Sequence, residues 1–272
     1  MINRFETIKK NVKSLKNARN IHVNMVMGEI EEAAFMMKGN VLSYTEAAKL
    51  FSSIFEYPLL SSEYMFFCYQ LAICNCFFES KTDEVINSSC VSLMDNLYSK
   101  EAFQNFSKYF LISTDFDNSF TALCEAVYSH RTKYAILPLS NTHDGIITSI
   151  YRLIQKYELR IAASTKVLTS NGENETEFVL VTNSRTELES CSRLMISITH
   201  KYGENIVELL SALKSIGIVP LSIDTLPLSY TDERCESLIN FDISTCVIKA
   251  VSCFLKTALP QANIVGMYSI VK

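Results

Sequence analysis

A chain of 272 residues with 48% hydrophobic and 20% charged side chains has the composition of a folded protein of two or three modest domains, which excludes global disorder. The formal net charge of −4 leaves no electrostatic footprint for nucleic acid, and the one basic cluster (Lys9, Lys10, Lys13, Lys16, Arg19) reads as a solvated helix face. Nine scattered cysteines without a CxxC, and His22, His130, His143 and His200 far apart, suggest neither a disulfide framework nor a metal site. No cofactor is expected. The basic start lacks the apolar core of a signal peptide, and the most apolar run, 64–78, is short and broken by Gln70 and Asn75. The expectation is a cytoplasmic protein with no membrane or nucleic-acid partner.

Taken in chain order, residues 1–84 read as a helical region of unknown role. Apolar residues recur at helical spacing over 21–37, and Gly39-Asn40 makes a stop. Ser43 and Glu46 have capping-box spacing before a second helix that Pro58 ends, and Ser61-Ser62-Glu63 opens a third. From 85 to about 185 the pattern alternates between strands and helices. Strands are predicted over 90–94, 109–112 and 134–139, and helices from Tyr98, over 119–129 and over 146–156. That alternation implies βαβ units and a parallel sheet, with the ligand loops at the strand C-termini. The loop SNTHDG (140–145) is one of them, and an anion there would meet backbone amides and a helix N-terminus. Residues 190–272 then follow the order βαββαβ, the ferredoxin-like arrangement.

Several of these stretches resemble a known family. Tyr98-Ser99 with Ala102, and the strand and loop YAILPLSNTHDGI (134–146), are similar to the first lobe of prephenate dehydratase. The family loop there reads roughly G-[VI]-[LV]-P-[IV]-E-N-S-x-x-G. Leu137, Pro138, Asn141 and Gly145 match it, Ser140 replaces the glutamate, and Thr142 replaces the serine. The segments 202–218, 224–227 and 264–268 resemble the ACT domain that follows in that family. The resemblance thus implies α/β and α+β architecture. It consists of an N-terminal helical region, a parallel-sheet α/β lobe like the first lobe of prephenate dehydratase, and a C-terminal ferredoxin-like ACT domain. A chorismate-mutase helix bundle often precedes this family, but outside its basic N-terminal run the region 1–84 offers too few cations for such a site.

The resemblance also carries roles, onto matching positions only. Thr176 and Phe178 align with the family's Thr-Arg-Phe motif, so Thr176 would help the departing hydroxyl while Asn141 and Thr142 orient the substrate. Ser140, Gly145, Phe178 and Ser99 would line the substrate site. Gly203, Glu204, Asn205, Asp224 and Thr225 would hold an amino-acid effector at the interface of a homodimer formed through the ACT domain. Glu177, however, takes the place of the family arginine, and most of the second lobe is missing between Ile161 and Thr176. Prephenate is a dicarboxylate, and an arginine would clamp it through two parallel charge-assisted bonds, whereas a glutamate repels it. Two readings follow. One is a divergent prephenate dehydratase of phenylalanine biosynthesis. The other is a catalytically inactive, amino-acid-sensing regulatory protein that works by dimerisation.

Overall fold

The computed structural model describes residues 14, 21–55, 62–74, 76, 89–108, 112–168, 172, 174–184, 191–201, 206–228, 233–259 and 261–272. In chain order the elements begin with α1 (residues 21–36), α2 (Tyr44–Ile54), α3 (Ser62–Ile73), β1 (Ser89–Met94), α4 (Leu97–Ser107) and β2 (Ile112–Asp117). They continue with α5 (Phe120–Tyr128), β3 (Tyr134–Asn141), β4 (Gly145–Ile146), α6 (Thr148–Lys156), β5 (Arg160–Leu168) and β6 (Glu175–Thr182). The last are β7 (Arg193–Lys201), α7 (Val207–Ser215), β8 (Val219–Pro227), β9 (Arg234–Asp242), α8 (Ile248–Ala258) and β10 (Asn263–Val271). The chain divides into two compact units. One gathers the described part of 1–79 with 207–216 and 249–259, and the other holds 80–206, 217–248 and 260–272.

The first unit is helical. The capping box forms as its spacing predicts: Ser43 Oγ accepts from the Glu46 amide at 3.3 Å, and the Glu46 carboxylate accepts from the Ser43 amide at 2.8 Å. The apolar run is a core helix, α3, which buries Tyr64, Phe67, Cys68 and Leu71. Phe51 of α2 meets Tyr64 edge-on at 5.1 Å and Phe67 at 5.5 Å. α3 also packs against α7, and its Tyr69 meets Phe254 of α8 at 6.1 Å. Among the described residues no helix is long and apolar enough to cross a membrane.

The second unit is built on one ten-stranded sheet, ordered β2-β1-β3-β6-β5-β10-β7-β9-β8, with β4 paired to β3. β1 is parallel to both β2 and β3, which gives the α/β core that the strand–helix alternation implies. β6 then enters antiparallel between β3 and β5. Only residues 169–174 separate β5 from β6 in the chain, too few for a second α/β lobe there. The last four strands have the antiparallel order β10-β7-β9-β8 of a ferredoxin-like sheet.

One strand lies elsewhere than predicted. The edge strand β2 occupies Ile112–Asp117 rather than 109–112, of which only 112 is described. Its alternating STDFD sequence lacks an apolar run because a strand at a sheet edge carries polar side chains. Two of them, Asp115 and Asp117, receive the guanidinium of Arg131 at 3.0 and 2.5 Å.

Side-chain alternation along the strands sets up two cores. One cluster joins Leu123, Leu139, Tyr151, Ile154 and Val179 with Met195, Leu226, Leu238 and Tyr268, so it runs unbroken from the α/β strands into the ferredoxin-like strands. The other contains Leu93, Ala102, Phe106, Ile136, Phe178 and Leu180. The two halves are fastened at two further points. Buried Glu236 of β9 accepts from Tyr151 Oη at 2.7 Å, from Gln155 Nε2 at 2.5 Å and from Arg152 at 2.6 Å, all on α6. At the β5–β10 joint, Gly266 lies so close to Ile161 that a Cβ there would sit 2.7 Å from the Ile161 carbonyl oxygen.

Candidate functional site

The loop that carries the resemblance is a tight hairpin and not an open strand-to-helix turn. β3 runs through Asn141, residues 142–144 turn, and Gly145–Ile146 returns as β4 against Ser140 and Asn141. Gly145 sits at φ +70°, the left-handed region that glycine adopts without steric cost. Helix α6 starts only after Ile147, and no side chain caps it. The helix N-terminus therefore belongs to the next element, not to the loop.

The polar groups of the loop bond to one another. Asn141 Oδ1 accepts from the amides of His143 (2.9 Å) and Asp144 (2.6 Å), and its Nδ2 donates to Asp144 at 3.1 Å. This is an Asx-type turn, in which the side chain takes over the backbone's role. Thr142 accepts from the Glu175 amide at 3.1 Å and donates to Asn174 at 3.4 Å. His143 Nδ1 lies 2.8 Å from Asp144, an exposed pair whose bond raises the imidazole pKa and lowers that of the carboxyl.

The antiparallel register of β3 on β6 decides which residues share a face. Asn141 stands opposite Thr176, and Ser140 opposite Glu177, after a break in register at Leu139. Because directly opposed residues point the same way, Asn141 and Thr176 lie on one face, and Val167 of β5 completes the row. Ser140, Glu177 and Lys166 form the row on the other face. Ser140 Oγ donates to Glu177 at 3.3 Å, and Lys166 pairs with Glu175. Glu177 also raises the Tyr268 phenol, after burial, which is the larger cause.

The sequence-predicted site residues therefore divide into groups. Asn141, Thr142, Thr176 and Gly145 meet at one corner, while Ser140 lies on the opposite face with Glu177. Phe178 is buried in the apolar cluster, and Ser99 is buried in the first turn of α4, with its amide on Asn96 and its Oγ unpartnered. Asp224 of β8 approaches the corner: its Oδ1 is 3.6 Å from where a Gly145 Cβ would stand, and burial raises its pKa. Thr225 points to Ser237, 3.4 Å away. Gly203, Glu204 and Asn205 lie outside the described residues.

Of the cations near the loop in sequence, Lys133 lies over the Tyr134 ring at 5.9 Å, and two others are committed elsewhere. Arg131 serves Asp115 and Asp117, and Arg152 serves Glu236. Arg160 begins β5 in register with Thr182, at the far end of the strand from Val167 and Thr176. The role of Glu236 left no signal in the sequence, where it reads as one more strand residue.

The family model for prephenate dehydratase matches residues 95–201. Over this span the chain is similar to a prephenate dehydratase domain. The span takes in the α/β elements from α4 onward, the hairpin and the first ferredoxin-like strand. The fold is similar to prephenate dehydratase from Streptococcus mutans, with a TM-score of 0.57 at 15% identity, covering 68% of this chain and 100% of that one. The quorum quenching acylase GqqA is similar at TM-score 0.52 and 16% identity, with coverage of 66% and 94%. Prephenate dehydratase from Arthrobacter aurescens in complex with L-Phe is similar at 0.50 and 11%, with coverage of 66% and 90%. At such identities these likenesses are ones of fold. No curated protein sequence matches the chain.

Proposed function

We propose that this prephenate dehydratase-like protein has lost turnover and acts as an amino-acid-responsive regulatory protein of aromatic amino acid metabolism. The observation that carries this is Glu177, a carboxylate in the arginine's place, bonded to Ser140. Asp144 and Glu175 add further negative charge around the hairpin, and Lys166 is already paired to Glu175. Like charges at hydrogen-bond range disfavour binding. The βαββαβ segment 190–272 is read as the ACT domain, and the protein as cytoplasmic.

The approach of Asp224 to Gly145 gives an effector held near Asp224 and Thr225 a direct contact route to the hairpin. A relative crystallised with L-Phe supports an amino acid as that effector. Dimerisation would use β8, which is a sheet edge and exposes Val219, Leu221 and Ile223. Retained dehydratase activity is the second reading, and the register that sets Thr176 beside Asn141 favours it. Prephenate incubated with the purified protein, with phenylpyruvate read in alkali, separates the two. No product above the uncatalysed rate from a folded protein is expected. Turnover that a Thr176→Ala change abolishes would replace the regulatory reading with the catalytic one.

A further inference from the structure

A row of hydrogen bonds crosses three ferredoxin-like strands, β7, β9 and β8. Antiparallel register sets His200 of β7 opposite Cys235 of β9, and Thr225 of β8 opposite Ser237 of β9. Opposed residues point the same way and alternate residues of a strand share a face, so all four lie on one face of the sheet. The His200 ring has Nδ1 at 3.0 Å from the Lys201 carbonyl oxygen and Nε2 at 2.7 Å from Ser237 Oγ. Ser237 Oγ in turn lies 3.4 Å from Thr225 Oγ1. Ser237 is buried and Thr225 exposed, so the row leads from the interior to the surface.

Chemistry fixes the direction of each bond. A carbonyl oxygen only accepts, so Nδ1 of His200 carries a hydrogen and donates to Lys201 O. In the neutral ring Nε2 is then bare, and the Ser237 hydroxyl donates to it. With its one hydrogen committed, Ser237 can only accept from Thr225, whose hydrogen points inward and whose lone pairs face solvent. A proton taken up at Nε2 reverses the row. Nε2 then donates to Ser237, the Ser237 hydroxyl turns to Thr225, and the Thr225 hydrogen is released outward. One proton thus converts Thr225 from a surface acceptor to a surface donor, with no heavy atom displaced. Facing the ring from β9 is the Cys235 thiol, 3.7 Å from Nδ1 and 3.6 Å from Nε2, while Thr225 and Pro227 of β8 carry no charge. Lys201, Arg234, Glu236 and Asp224 alternate to the opposite face.

We infer that Thr225 receives the α-carboxylate of the amino-acid effector, and that His200 and Ser237 are the positioning residues that turn its hydroxyl outward to do so. This rests on the reading of Asp224 and Thr225 as effector positions, and it names the ligand group bound there and what controls it. A carboxylate only accepts, so it bonds to Thr225 when His200 holds its second proton and meets lone pairs when it does not. Binding therefore draws a proton onto His200, and by reciprocity acid strengthens binding. The inner end of the row, Lys201, stands two residues before Gly203 in the chain, so the row joins both halves of the predicted effector set.

Calorimetric titration of the full chain with L-phenylalanine and then the other amino acids tests it, from about pH 8 to about pH 5, where a histidine ordinarily changes charge. Affinity should rise about tenfold towards the acid end, the worth of one hydrogen bond to a charged group, with proton uptake read from the buffer dependence of the heat. Phenethylamine, which lacks the carboxylate, should gain nothing. Ser237→Ala keeps the imidazole and its charge but cuts the row, so it should flatten the profile, and the surface change Thr225→Val should do the same. Asp224→Asn should weaken binding at every pH and keep the slope. A slope that survives both Ser237→Ala and Thr225→Val would mean that the imidazolium acts through space, and overturns the inference. Binding that is flat with pH, or a slope lost with Asp224→Asn, also overturns it and leaves the effector reading standing. If no amino acid binds at any pH, both are overturned.

Discussion

Two glutamates of the large sheet show how differently one fold treats a carboxylate. Glu236 is buried and held by a tyrosine, a glutamine and an arginine from a single helix, α6. Glu177 is only partly buried and accepts one long bond from Ser140. A buried charge persists only when it is paired and its lone pairs are met, and Glu236 satisfies both conditions. The arginine that does so, Arg152, lies in the helix that follows the family-like loop, so this cation is committed to structure. The corner around Glu177 is left with carboxylates, one paired lysine and a hairpin that satisfies itself.

The contrast is broken most strongly by Glu236→Ala. Stripping the carboxylate removes the acceptor of the buried Tyr151 hydroxyl and the ion pair of the half-buried Arg152, and a loss of about 2–3 kcal/mol in urea unfolding is expected. Next is Gly266→Ala at the other fastening between the halves, where the added methyl meets the Ile161 backbone. A loss of about 1–3 kcal/mol by the same measurement is expected, and no loss would mean that β5 and β10 part without strain. Glu177→Ala should shift stability by no more than about 0.5 kcal/mol, as for an ordinary surface change. A cost comparable to that of Glu236 would erase the distinction between the two carboxylates.

The smallest expected effect is a pH dependence. His143 has a raised pKa, so its contribution is complete below its unfolded-state pKa and is lost as pH rises through the folded value. Asp144, with its pKa lowered, contributes above its unfolded-state pKa and loses this as pH falls through the folded value. The pair is therefore intact between those two limits. Asp144→Asn should bring the His143 pKa down towards its ordinary value, read by NMR titration of the imidazole. An unchanged pKa would show that Asp144 does not hold the ring.

Much of the architecture was legible from the chain alone. Apolar periodicity and turn residues gave the helices and nearly every strand, and Leu137, Pro138, Asn141 and Gly145 carried the family resemblance. β2 escaped because an edge strand has no obligation to be apolar. The hairpin at 142–146 escaped because Asn141 closes it with its side chain, and that bond competes invisibly with the helix start expected at 146.

What the sequence determined by itself was the order of elements and the replacement of arginine by glutamate at 177, both written in neighbouring residues. Only the tertiary structure decided where the charges went. Arg152 meets Glu236 84 positions away, and Asp224 reaches Gly145 from another strand. Local pattern reports which way a side chain faces along its own element. The partner it finds there depends on register and packing between distant segments, and that information is not local.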